Sequence, residues 1–149
     1  MSITRRPFRL LLCLALGLVL QLHAATAKDI QGEWQVDGPA TWEAMKQAPQ
    51  IAAMPPEQQK AMEAMMVGQL GEMSSVVTAD TITQTMPDGK TKKRTYKVTK
   101  IEGDTVTTED TDETGKTDTT HILVKGDTLA LSNPQHPGMT IILKRKAAK

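Results

Sequence analysis

From residue 73 onward the chain is punctuated by glycine at a nearly constant interval. Gly89, Gly103, Gly115, Gly126 and Gly138 stand 14, 12, 11 and 12 residues apart. Each falls in a polar turn: Pro87-Asp88-Gly89-Lys90, Glu102-Gly103-Asp104, Glu113-Thr114-Gly115-Lys116, Lys125-Gly126-Asp127 and Pro137-Gly138. Short runs between Gly/Asp turns at this spacing predict an antiparallel meander. The runs themselves are rich in threonine, with valine, isoleucine and tyrosine, which favour strands and disfavour helices. Strands are expected near 30–36, 73–78, 81–86, 91–101, 105–112, 117–125, 128–132 and 139–146, eight in all.

At the two-residue period of a strand, Ile30, Gly32, Trp34 and Val36 share one face, and Gln31, Glu33 and Gln35 the other. In the last strand Met139, Ile141, Leu143 and Arg145 share a face, which turns an arginine inward. Pairing of the first and last strands, with the Arg145 guanidinium across the Trp34 indole, would close a ring. The expected fold is mainly β: an eight-stranded antiparallel up-and-down barrel, or a half-open one, with two helices inserted between strands 1 and 2. Tyr96 pairs in facing with Val98, Ile122 with Val124, and Leu129 with Leu131. The run Thr105 to Asp112 has only Val106 as a large apolar residue, so it is expected to be partly exposed or at the rim, and the acidic stretch Glu109 to Glu113 is expected to extend into water.

The segment between the first strand and the meander has another composition. Pro39 to Ala48 and Pro55 to Met73 are rich in Ala, Met, Glu, Gln and Lys, and each opens with proline, which a helix tolerates in its first turn. The helical insertion spans about 39–72. In its second helix Met62, Met65, Met66, Leu70 and Met73 recur at helical spacing opposite Glu57, Lys60 and Glu63, while Trp42 and Met45 give the first a matching apolar edge. Such helices cannot fit inside a small barrel beside its own side chains, so they are expected to cap a mouth or cover an open edge.

The front of the chain reads as an export signal. Arg5, Arg6 and Arg9 precede an apolar run from Leu10 to Leu22, and Ala25-Thr26-Ala27 supplies the small residues that precede cleavage. The run is short of the ~20 apolar residues of a membrane-spanning helix. Cys13 follows Leu11-Leu12 rather than small residues, which speaks against a lipid anchor. Residues 1–27 are therefore read as a cleaved signal peptide and 28–149 as one domain, periplasmic or secreted from a bacterium. Without the signal the chain has no cysteine, which excludes disulfides, thiolate metal sites and a cysteine nucleophile. The 18 Lys and Arg lose three and become 15 against 17 Asp and Glu, a net charge of −2 that gives no electrostatic case for nucleic acid or an anionic membrane.

Gly32-Glu33-Trp34 and the terminal Leu143-Lys144-Arg145 make the chain resemble the bacterial lipocalin-like, calycin-type domains, whose first strand carries Gly-x-Trp and whose last carries an arginine that packs on that tryptophan. The resemblance implies an up-and-down barrel, with Gly32, Trp34 and Arg145 at its closure, and a small hydrophobic ligand inside. The chain departs from a typical lipocalin in having two helices early and almost nothing after Lys146.

The candidate sites follow from these elements. The methionine stripe offers soft thioethers that could take Cu(I), a lining for an apolar cavity, or adaptable packing, the ordinary use of methionine at helical spacing. The expected ligand-binding residues are Trp42, Met45, Met62, Met65, Met66 and Tyr96, and no metal centre or cofactor is assigned. The stretch Asp110 to Gly115 has Asp at positions 1 and 3 and Gly at 6 of a calcium loop, but His121 stands where the closing glutamate belongs. His121 and His136 form no ligand pair, no triad is set out by spacing, and no glycine-rich phosphate loop opens a helix. An enzyme is not expected. Two readings remain: a protein that binds a small apolar molecule under a Met-rich helical cap, or a structural or interaction protein with a filled barrel whose Met-rich helix pair presents methionine and Trp42 to a protein partner.

Overall fold

A computed structural model describes residues 24–147. Residues 1–23, most of the expected signal peptide, lie outside it. The strands are β1 (Gly32–Val36), β2 (Ser74–Val77), β3 (Thr81–Thr85), β4 (Thr91–Glu102), β5 (Thr105–Thr111), β6 (Thr117–Lys125), β7 (Thr128–Ser132) and β8 (Thr140–Arg145). They pair in sequence order, all antiparallel, and β8 returns to β1 to close an eight-stranded up-and-down barrel. The β4–β5 and β6–β7 connections are two-residue loops, Gly103-Asp104 and Gly126-Asp127, with φ of 55° and 57° at the glycines. Glycine first in a two-residue loop matches the turns that follow the strand twist.

The ring closes where Trp34 stands opposite Arg145 and Val36 opposite Leu143. The Arg145 guanidinium lies 4.3 Å from the centre of the Trp34 ring. Gly32 explains itself here: its φ is 128°, and a Cβ would come within 2.7 Å of Arg145 Nη1. Any side chain at 32 would therefore be strained and would also push the guanidinium off the indole.

Inside, the ring is filled by Trp34, Val36, Val106, Ile122, Leu129 and Leu143, all buried. β5 is partly exposed on its outer face, but its acidic end departs from the sequence expectation. Its side chains alternate without a break, so that Val106, Thr108 and Asp110 point into the barrel and are buried, and only the turn after Thr111 reaches into water. Strand pairing on both sides sets this facing; the polarity of the sequence does not.

Three helices, rather than two, lie between β1 and β2: α1 (Gly38–Met45), α2 (Pro49–Ala52) and α3 (Pro56–Gly71). The break follows from the prolines. Ala48 and Pro55 each precede a proline and take extended ψ values of 133° and 144°, which ends one helix and starts the next. Asp37 caps α1 by accepting the Ala40 N–H at 3.1 Å. α1 packs on β8 and on α3, at the mouth where β1 ends. There Thr41, fully buried, takes over from the departed β1: its hydroxyl accepts the Ile142 N–H at 2.9 Å, while the Asp37 N–H reaches the Ile142 carbonyl at 2.8 Å. A β8 donor that would be orphaned is thereby satisfied.

The opposite mouth is stopped by the chain before β1. Ile30 is fully buried in the lumen, its carbonyl accepting Trp34 Nε1 at 2.9 Å. Arg145 donates to the carbonyls of Gln31 at 3.0 Å and Asp29 at 3.1 Å.

Candidate functional site

The apolar side chains form two separate clusters. One is the barrel interior; the other gathers Trp42, Met45, Ala48 and Ile51 beneath Met62, Met66 and Val67. Of the six residues expected to bind a ligand, Trp42, Met45, Met62 and Met66 therefore meet one another within the helical layer. Tyr96 stands apart in the barrel core, and Met65 is 57% exposed on the outer side of α3.

Among the described residues, a small space of about 40 Å³ in the barrel interior is lined by Ile30, Ser75, Val77, Ile82, Tyr96 and Thr108 among others. One water needs roughly 10–15 Å³ measured this way, and pockets for small organic ligands run to ~300–1,000 Å³. The space is lined almost wholly by apolar atoms and has room for a fragment of about two or three heavy atoms. Tyr96 closes one side of it, its hydroxyl donating to the Thr78 carbonyl at 2.5 Å. Burial, with the charge of Asp80 adding to it, raises the phenol above its ordinary range.

Toward the helical mouth the lumen turns polar. Asp110, only 8% exposed, accepts hydrogen bonds from the hydroxyls of Thr108 and Thr120, each at 3.0 Å. This network was hidden in a sequence that reads as a solvated acidic run, and the period-2 alternation Val106, Thr108, Asp110 was the one signal that could have exposed it. Nearer the rim Arg94 stands 4.0 Å from Asp118, which Lys116 approaches to 3.4 Å. Asp112 anchors the β5–β6 turn: the Thr114 hydroxyl, bound at 2.6 Å, holds its carboxyl below the usual range, helped by the Lys116 and Thr114 amides. Among the described residues no three His, Cys, Asp or Glu gather as for a metal ion. His121 and His136 are both exposed.

None of the 16 residues of α3 is buried. Met62, Met66, Val67 and Leu70 are half-buried against α1 and the barrel, and Gly38 is the contact point, since a Cβ there would lie 2.8 Å from the Val67 carbonyl oxygen. Opposite them, at helical spacing, Glu57, Ala61, Ala64, Met65, Gly68 and Glu72 face outward and are exposed. Nothing comes near Gly68, and neither Glu57 nor Glu72 makes an ion pair among the described residues. An open groove of about 390 Å³ runs between α1 and the first half of α3, on the side of α3 turned toward α1, edged by Glu43, Lys46, Gln59, Lys60 and Glu63. Among the described residues no helix is long and apolar enough to cross a membrane. No protein-family profile, curated protein or solved structure matches the chain.

Proposed function

We propose that this is an exported, lipocalin-like binding protein, periplasmic or secreted, whose filled barrel is a rigid stem and whose working surface is the outer face of α3. The lipocalin-like part of the reading draws support from Gly32, Trp34 and Arg145 meeting where the eight-strand ring closes. The export part rests on Arg5, Arg6, Arg9, the apolar run after them and Ala25-Thr26-Ala27. The observation that carries the partner surface is a contrast of spaces: about 40 Å³ in the lumen, against a 16-residue helix that buries no residue fully and exposes Met65. Trp42, expected to be offered to a partner, is itself buried, so Met65 is the apolar anchor.

The chemistry of the face specifies the occupant. An apolar centre of Ala61, Ala64, Met65 and Gly68 lies between Glu57 and Glu72, whose Cα atoms are about 22 Å apart at 1.5 Å per residue. It fits a partner segment with an apolar middle and a basic residue at each end. A second copy of α3 would set carboxylate against carboxylate whichever way it ran. One helix face of this length buries less than the ~1,200 Å² of a standard interface, so the complex belongs to the weak, transient class. The other reading, a small apolar ligand under the helices, would have to open the interior first.

A photo-crosslinking residue placed at 65, and for comparison at Val76, 44% exposed on the barrel wall, tests this in exported protein. The expected result is a discrete adduct from position 65 alone, mapping to a segment with basic ends. Equal labelling from both positions, or an extractable apolar molecule whose removal lowers the melting temperature, would favour the ligand reading instead.

A further inference from the structure

The stretch read as the export cleavage site is also a working part of the closed barrel. Ala25 is 8% exposed, and its N–H donates to the carbonyl of Gly103 at 2.8 Å, across the tip of the β4–β5 hairpin. The Asp29 carboxylate accepts both the N–H of Thr26 at 2.6 Å and its hydroxyl at 2.8 Å. The carbonyl of Ala27, the one a peptidase would attack, accepts the Gln31 side-chain amide at 3.3 Å. Residues 27–30 are wound into turns, with Asp29 N–H on the Thr26 carbonyl and Gln31 N–H on that of Lys28, both at 3.1 Å. Immediately downstream, Ile30 is buried in the lumen and Arg145 grips the carbonyls on either side of it.

A signal peptidase reads small side chains three residues and one residue before the scissile bond, and to reach both it needs this stretch extended and free. Here the first of the two is buried and the intervening residue is held by a carboxylate. We infer that processing and barrel closure compete for the same residues, so that the Ala27–Lys28 bond is cut before the barrel closes and is protected afterwards. The inference rests on the export reading above. Cleavage is a hydrolysis: the Ala27–Lys28 amide bond breaks, water supplies hydroxyl to the Ala27 carbonyl carbon, and its proton goes to the Lys28 nitrogen. It removes the Ala25 contact with Gly103 and uncovers the mouth beside Asp104, Val124 and Lys125, which now line a recess next to Ala25. Ile30 and the Arg145 contacts with Asp29 and Gln31 lie downstream of the cut, so the mature barrel stays stopped.

The test uses the full 149-residue precursor in detergent with a bacterial signal peptidase, cleavage being followed by mass spectrometry. One sample is folded beforehand; the other is unfolded in urea and diluted into the enzyme. The expected result is cleavage after Ala27 at least tenfold faster in the second. Ile30→Asp, which puts a carboxylate into the lumen and prevents closure, is expected to be cut fast without urea. Equal rates for folded and unfolded wild type overturn the inference alone, as does a folded-like resistance of Ile30→Asp. Cleavage before Ala25 also overturns it, because the Gly103 contact would survive. No cleavage of the unfolded chain sinks the export reading together with the inference.

Discussion

The barrel and the helical layer are held together in opposite ways. Every barrel strand pairs on both edges and sends side chains into a common lumen, where Trp34, Ile30 and Val106 lose all contact with solvent. The helices meet the barrel along β8 and the end of β1, and α3 contributes only half-buried side chains to its contact with α1. Burial scales with apolar area removed from water, so the first region carries most of the stability and the second has the lower cost of opening. A filled, rigid body with a lightly held helix suits recognition on the helix rather than inside the body.

Each region holds one of the two tryptophans, which lets the contrast be broken cleanly. Trp34→Ala is expected to cost about 3–5 kcal/mol and to unfold barrel and helices together, read by urea denaturation with circular dichroism. Trp42→Ala is expected to loosen the helices first, with Trp34 fluorescence keeping its native transition at higher urea. A single coincident transition in Trp42→Ala would erase the distinction between the regions.

Thr41→Val sharpens the join between them. It keeps the shape but leaves the Ile142 N–H without its acceptor, at a cost of about 1–3 kcal/mol. Faster hydrogen exchange at Ile142 than at the β7-paired amides of β8 would show the cost to be local.

Within the barrel the single tyrosine gives a smaller, pH-dependent effect. Burial raises the Tyr96 phenol in the folded state above the value of about 10 it has in the unfolded chain. The neutral form is favoured by folding, so its contribution is complete below about pH 10 and is lost as pH rises from there through the folded value. Tyrosinate absorbance is expected to appear at higher pH in native than in urea-unfolded protein, and Tyr96→Phe to flatten that part of the stability profile. Coincident titrations would place the phenol in water.

On α3 the expected effect is the smallest. Met65→Asp sits on an open face and is expected to change stability by less than about 0.5 kcal/mol while abolishing partner crosslinking from α3. A loss of more than about 2 kcal/mol would mean that Met65 packs against the body of the protein.

Much of this architecture was legible beforehand, for a local reason. Turn glycines and period-2 alternation are properties of a few adjacent residues, and they located all eight strands to within a residue or two. The Trp34 and Arg145 pairing was legible because both lie on the inward faces of terminal strands. Asp110 was not, since its polarity argued for water while its register, set by Tyr96 and Asp118 on the neighbouring strands, turned it inward. The methionine stripe was half legible: helical spacing placed Met62 and Met66 on one side of α3, but which side would meet α1 depended on Gly38. That choice left Met65 outside and parted it from Tyr96.

Strand number, strand order and the residues at the closure were thus determined by the sequence alone, because each depends on neighbours along the chain or on a mirrored pattern at its two ends. Whether the lumen is empty or full was decided only by the tertiary structure. It is a difference between the ring's volume and the side chains of eight strands plus Ile30, and no local pattern encodes that difference. The same holds for Gly32, whose need for a missing Cβ arises from a guanidinium more than a hundred residues away.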